Sequence, residues 1–304
     1  MESQVYSTLL AYRSGGHCVK QIVFISGKGG TGKSTVVASL SLLVNNKMLA
    51  DCDVDAPNLH LLVRGEEIRQ KDYSGAKIAQ INKVICTNCG MCRGVCRFDA
   101  IDPNYSIRPM TCEGCAACQV LCPVGAIELI PVKTGETYVA HTDRGTFTHA
   151  QLEIGAEGSG KLVTEVRKSL DEYKQDEEWV LIDGSPGIGC VVIASITGTD
   201  AVVAVAEPTP SGRHDLDRVL SVAEFFQVPA FVCINKFDLN PAVTEEIITD
   251  CQKRAVPVIC KIPYEPAIMK ALQQGLTPVE AHLNEIIEPI ESLWQQLVEY
   301  FVQI

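Results

Sequence analysis

The chain has 304 residues, 46% of them hydrophobic, which is room for one large domain or two ordinary ones with a proper core. A formal net charge of −11, with no local basic patch, argues against a surface that grips DNA, RNA or anionic lipid through its overall field. The first residues, MESQVYSTLLAYRSGGHC, lack the basic start and unbroken apolar stretch of a secretory signal. No apolar run approaches the ~20 residues that span a bilayer, so the expectation is a cytoplasmic protein without membrane or nucleic-acid partners.

In chain order, QIVFISGKGGTGKSTVVASLSLLV from Gln21 reads as an apolar strand, a glycine-rich turn and a helix. A second short strand runs into LADCDVDAPN, opening a βαβ unit. Between about Ile81 and Ile130 the periodicity gives way to cysteines, glycines and short turns. ETYVAHTDRGTFTHAQLEI then reads as a β-hairpin turning near Asp143 to Gly145. From EWVLIDGSPG onward the apolar strands AVVAVAEP, AFVCINK and VPVICKIP alternate with helical stretches, the pattern of a parallel sheet covered on both faces. The tail places Leu283, Ile286, Ile287, Ile290, Leu293, Trp294 and Leu297 along one helical face, with no lysine after Lys270. That predicts a helix packed on the domain rather than a membrane anchor.

Gly27, Gly32, Lys33 and Ser34 fill every fixed position of G-x-x-x-x-G-K-S/T between the first strand and helix, the context this phosphate-binding loop requires. The loop residues Gly29, Gly30, Thr31, Gly32, Lys33, Ser34 and Thr35 are the candidate nucleotide contacts. Their backbone amides cradle phosphate oxygens at a helix N-terminus, Lys33 reaches the terminal phosphates and Ser34 can hold magnesium. Asp183, ending WVLID, fits the second carboxylate on the magnesium side.

SGKGGTGKST carries an extra lysine, Lys28, after the first glycine, and so resembles the deviant P-loop ATPases of the MinD, ParA, Mrp and nitrogenase iron protein group. The resemblance implies an ATP/ADP and Mg2+ site, hydrolysis, and a homodimer or a heterodimer with a related ATPase. In that dimer Lys28 would reach the partner's nucleotide. DCDVDAPN resembles the family's switch I, with Asp53 orienting the attacking water and Asp51 on the magnesium side. DGSPGIG resembles switch II, and INKFD the base-reading segment, with Asn235 and Pro263 beside the base. Choosing ATP over GTP rests on the resemblance, since N-K-x-D can also read guanine. The residues before Gln21 exceed the short start usual in this group and are expected to be a disordered extension or an upstream start.

Cys86, Cys89, Cys92 and Cys96 follow C-x-x-C-x-x-C-x-x-x-C, and Cys112, Cys115, Cys118 and Cys122 repeat it at an offset of 26 residues. This internal duplication resembles the bacterial-type two-cluster ferredoxins, in which the fourth cysteine of each run binds the other cluster. The implied wiring is crossed. One [4Fe-4S] cluster takes Cys86, Cys89, Cys92 and Cys122, and the other takes Cys112, Cys115, Cys118 and Cys96. Paired zinc sites are the competing reading. Arg97 stands where a proline is expected after Cys96.

The expected architecture is an α/β P-loop NTPase with a mostly parallel sheet and helices on both faces, interrupted by a ferredoxin-like α+β insert. The boundaries are 1–80, 81–131 and 132–304. The favoured function is an ATPase whose dimer switch gates electron transfer or redox signalling to a partner protein. A metallocofactor carrier is the alternative, although Cys251 and Cys260 are too far apart for the C-x-x-C pair such carriers share. A ParA- or MinD-like positioning protein is the third reading. Cys18, Cys52, Cys233, Cys251 and Cys260 read as small buried residues. Cys190, just past switch II, is a possible interface metal ligand. His60, His141, His149 and His214 show no metal spacing.

Overall fold

The strands in chain order are β1 (Lys20–Ser26), β2 (Lys47–Cys52), β3 (Gly65–Tyr73), β4 (Ala76–Ile81), β5 (Ile127–Val132), β6 (Gly135–Thr142), β7 (Gly145–Leu152), β8 (Trp179–Pro186), β9 (Ala201–Ala206), β10 (Ala230–Asn235) and β11 (Val258–Ile262). The helices are α1 (Lys33–Leu43), α2 (Met91–Val95), α3 (Ala117–Val120), α4 (Gly160–Asp171), α5 (Cys190–Ile196), α6 (Pro210–Phe225), α7 (Pro241–Lys253), α8 (Ala267–Gln273) and α9 (Asn284–Gln303). These come from a computed structural model that describes residues 19–303. The expectations for Cys18 and for the segment ahead of Val19 lie outside the described residues.

Nine strands form one sheet in the order β11-β10-β9-β1-β8-β2-β7-β6-β3, and β4 and β5 form a separate pair. From β11 to β7 every pairing is parallel, and the β7-β6-β3 end is antiparallel. The central strands are apolar on both sides because helices cover both faces. Along β1, Val23 and Ile25 join the core under α4, α5, α6 and α7. Ile22 and Phe24 point the other way, toward α1 and α9. Helix α9 buries Ile286, Ile290, Leu293 and Leu297, each contributing roughly 1.5–3 kcal/mol of transfer free energy. Among the described residues no helix is long and apolar enough to cross a membrane.

The hairpin pairs Thr142 with Gly145, so Asp143 and Arg144 form its two-residue turn. Strand β3, GEEIRQKDY, is the sheet's outer edge and is charged along most of its length, which blunts unpaired edge groups against association. Its loss of apolar alternation is why no strand was expected there.

The cysteine-rich segment hangs between β3 and β6. It is closed by β4 and β5, which pair from Ala76 with Val132 to Ile81 with Ile127. At its root the Thr134 amide donates to the Tyr73 carbonyl (2.8 Å) and the Gly75 amide to Thr134 Oγ1 (2.8 Å). The pairing therefore begins five residues ahead of the boundary at 81. Inside, the 26-residue repeat reappears in three dimensions. Gly90 and Ala116 cap α2 and α3 in the left-handed region, at φ 82° and 66°. The Asn82 amide donates to the Ala126 carbonyl (2.7 Å), and the Arg108 amide to the Ala100 carbonyl (2.8 Å).

Candidate functional site

The turn from β1 into α1 opens beneath a cavity of about 450 Å³ lined by Gly29 to Val36, Asp53, Asn235 and Pro263. Two close approaches demand glycine there. A Cβ on Gly27 would sit 2.2 Å from Asp215 Cβ on α6. A Cβ on Gly32, already at φ 89°, would sit 2.3 Å from Asn235 Nδ2. Asn235 uses that nitrogen to hold the Thr31 carbonyl (2.7 Å), while its oxygen accepts from the Lys236 amide (3.0 Å). Its amide thus braces the glycine-rich turn through Thr31.

Lys33 is buried. Its Nζ bonds Asp183 Oδ1, lies 3.7 Å from Asp53 Oδ2 and donates to Ser34 Oγ (3.4 Å). Burial alone would lower the pKa of this ammonium, but the carboxylates of Asp183, Asp53 and Asp51 outweigh it and hold the group above its ordinary value. The other Asp183 oxygen, Oδ2, is buried without a hydrogen-bond partner. Asp51 is fully buried, which together with Asp183 pushes its carboxyl up to about 8 against the opposing pull of Lys33 and two amides. It accepts from the Asp53 amide (3.0 Å) through Oδ1, and from Asn58 (3.2 Å) and Leu59 (3.0 Å) through Oδ2. Its geometry is that of a brace for the loop carrying Asp53. Burial likewise raises Asp53.

Lys28 is turned back onto its own chain, 3.3 Å from both Glu207 Oε2 and Thr209 Oγ1. Glu207 also takes Lys236. Thr209 is the N-cap of α6, accepting from the Gly212 amide (2.9 Å). This clasp was not foreseen, although the cap-then-proline pattern Thr209-Pro210 marks the helix start. Also unforeseen were Ile286 and Ile290 of α9 in the cavity wall, since an apolar helical face does not reveal which part of it meets a ligand.

The loop between β7 and α4 touches the first segment expected to sense nucleotide, and the start of α4 packs on the start of α5, just past the second. The Gly158 amide donates to Asp55 Oδ1 (2.8 Å), and a Cβ on Gly160 would sit 2.9 Å from the Cys190 carbonyl. Ser159 meets the Tyr73 hydroxyl at the insert's root (3.1 Å). Within the insert, the methyl of Met110 lies 3.0 Å from where a Cβ on Gly155 would be.

The eight repeated cysteines sort into two narrow hollows. One is lined by Cys86, Cys89, Cys92 and Cys122, the other by Cys112, Cys115, Cys118 and Cys96. Backbone amides point at three of the sulfurs: Ala100 at Cys96 (3.4 Å), Ala126 at Cys122 (3.2 Å) and Ala79 at Cys112 (3.4 Å). Among the described residues, no three His, Cys, Asp or Glu side chains converge as ligands of a single metal ion. Cys52, Cys233, Cys251 and Cys260 are buried, and Cys190 is exposed at the start of α5.

The model of the CobQ/CobB/MinD/ParA nucleotide-binding domain matches residues 22–279. The chain belongs to this family. The uncharacterized protein MJ0578 of Methanocaldococcus jannaschii is 32% identical over 286 residues, covering 93% of this chain and 98% of the relative. The cell division ATPase MinD of Pyrococcus furiosus superposes with a TM-score of 0.57 at 18% identity, covering 93% of this chain and all of that one. The septum site-determining protein MinD of Pyrococcus horikoshii, complexed with Mg-ADP, gives 0.56 at 16%, covering 92% and 96%. At these identities the two structures speak to the fold. Within the CobQ/CobB/MinD/ParA frame, the domain spans the insert, so one nucleotide-binding fold is interrupted by the cysteine-rich segment rather than followed by it.

Proposed function

We propose that this chain is an Mg2+-dependent ATPase whose nucleotide-driven dimer switch gates electron transfer through two [4Fe-4S] clusters held in the insert. The observation that carries the redox half is the sorting of the cysteines into two fours, each with three thiols from one run and the fourth from the other. The thiols of a four-iron cluster bind different irons, so they stand around a hollow rather than converge as ligands of one ion. Cys86, Cys89, Cys92 and Cys122 would hold one cluster, and Cys112, Cys115, Cys118 and Cys96 the other. When bound, such clusters supply one-electron chemistry at a potential tuned by hydrogen bonds to sulfur. The amides of Ala79, Ala100 and Ala126 would stabilise negative charge there.

The nucleotide half rests on the family, on the cavity over the phosphate loop and on the unpartnered Asp183 oxygen. Ser34 and Asp183 would hold Mg2+, with Asp51 bracing from behind. Lys33 would leave Asp183 for the terminal phosphates, and Asp53 would orient the attacking water. Lys28 must leave Glu207 before it can reach a second subunit, homodimeric or of a related ATPase, so release of that clasp is part of the switch. Asp53→Ala should retain ATP binding and lose at least about a hundredfold in hydrolysis, in line with removing a positioned base. Normal turnover in that variant would take Asp53 out of the role.

The deciding experiment is anaerobic purification with iron and sulfide analysis, followed by EPR of the reduced protein with and without Mg-ATP. About eight irons per chain are expected, with the signal or potential shifting on ATP while iron stays bound. Iron passing to an apo-acceptor would replace gating with a carrier role. An iron-free protein that still hydrolyses ATP would leave the positioning role of the MinD neighbours.

A further inference from the structure

The insert differs in charge from the rest of the molecule. Between Ile81 and Phe98 there is no aspartate or glutamate, while Lys83, Arg93 and Arg97 fall in that stretch of a chain whose net charge is −11. These three cations are exposed and form no ion pair among the described residues, Lys83 donating only to the carbonyls of Asn104 and Tyr105. Beside them is an apolar collar. Val84 is 93% exposed, and Ile85, Met91 and Val124 are also exposed. Met91 and Val124 line the same hollow as Cys89, itself exposed. The other hollow has Glu113 on its wall, while on this side the nearest carboxylate to Lys83 along the chain it bonds is that of Asp102, which accepts from the Asn104 and Ser106 amides.

Exposed apolar side chains beside an exposed cysteine, in a stretch whose cations form no ion pair, make a docking surface in which burial supplies affinity and charge supplies encounter rate. We propose that the face formed by Lys83, Val84, Met91, Arg93 and Val124 docks a small acidic one-electron carrier protein, with Cys89 as its point of contact. This rests on the redox reading above. One electron leaves the reduced carrier and enters the chain at this end of the insert. No bond is made or broken, and no proton moves.

The test uses the full-length, iron-replete protein and an acidic flavodoxin as probe. Calorimetry measures binding of the oxidised flavodoxin, and anaerobic stopped flow measures oxidation of its hydroquinone. Both should weaken as salt rises, and Lys83→Glu/Arg93→Glu should slow the second-order rate at least about tenfold. Lys77→Glu, an exposed cation of the insert outside the stretch, should leave it unchanged. Binding that ignores salt and the double reversal, or that falls equally in Lys77→Glu, overturns the face. The two readings fail separately. An iron-replete chain that dithionite reduces but that does not bind flavodoxin sinks the docking face alone. An iron-free chain that binds flavodoxin through Lys83 and Arg93 keeps the face and sinks the redox reading.

Discussion

His149 lies against three other rings, with centroids 4.8 Å from Tyr138, 5.2 Å from Phe147 and 5.4 Å from His60. Burial first, and then the neighbouring His60, lowers its pKa from 6.5 to about 4. The unfolded chain therefore takes up this proton at higher pH than the folded one. Stability is fully present above 6.5 and drains as pH falls toward 4, by about 3 kcal/mol in all. His149→Gln should flatten the stability profile between pH 6.5 and 4 in denaturant titrations; an unchanged acid limb would assign the loss to other groups. Lys28 illustrates a different limit. Its position after Gly27 was legible, but its partner was not, because Glu207 lies 179 residues away and only the fold brings the two together. Its pairs are partly solvent-exposed, so Lys28→Ala should cost under about 1 kcal/mol of stability. The same variant should lose any nucleotide-dependent dimer, read by light scattering after size exclusion; a dimer that persists with ATP would leave Lys28 a surface cation.

Among the elements, the parallel strands and the first β-turn-α were legible because their apolar runs are long and sharply punctuated. Strands β3 and β4 were not. The first is a charged edge most of whose residues face water, and the second, AKIAQI, is a short alternation beside the cysteine run. Both matter, because they form the root from which the insert hangs. The loop from Glu153 to Ser159 matters for the same reason, and nothing local marks it as a bridge between Asp55 and Met110. Gly158 is where it can be interrupted. A Cβ there would lie 2.4 Å from Asp55 Oδ1 and 2.8 Å from Val54 Cγ2, so Gly158→Ala should displace the loop from the Asp53–Asp55 segment at a cost of roughly 1–3 kcal/mol. In the parent protein Mg-ATP should change amide exchange in residues 153–159 and around Met110. In the variant the change around Met110 should vanish while protection of the phosphate loop remains. Equal responses in both proteins would show that the insert receives nothing through this loop.

At the scale of the whole molecule, the insert is a duplicated unit whose halves depend on each other. The 26-residue offset was plain in the sequence because ligand-type residues repeat at fixed spacing. The crossed arrangement was a reading by likeness, since spacing alone does not say which thiols share a hollow. The fold pairs Cys122 with the first run and Cys96 with the second, and paired substitutions can test the wiring. On the proposed two-cluster reading, Cys122→Ala should remove the cluster of Cys86, Cys89 and Cys92, and Cys96→Ala that of Cys112, Cys115 and Cys118. Each would leave about four irons of about eight. The distinguishing result comes from pairing substitutions. Cys89→Ala with Cys122→Ala strikes one hollow twice, and about four irons should remain. Cys89→Ala with Cys96→Ala strikes both, and iron should fall close to zero. Were the runs to bind independently, the pairs would exchange outcomes, the first losing nearly all iron and the second keeping half. Iron and sulfide analysis of these two double variants reads the pairing without reference to turnover. Because the nucleotide site shares no ligand with either hollow, Mg-ATP binding should survive in both.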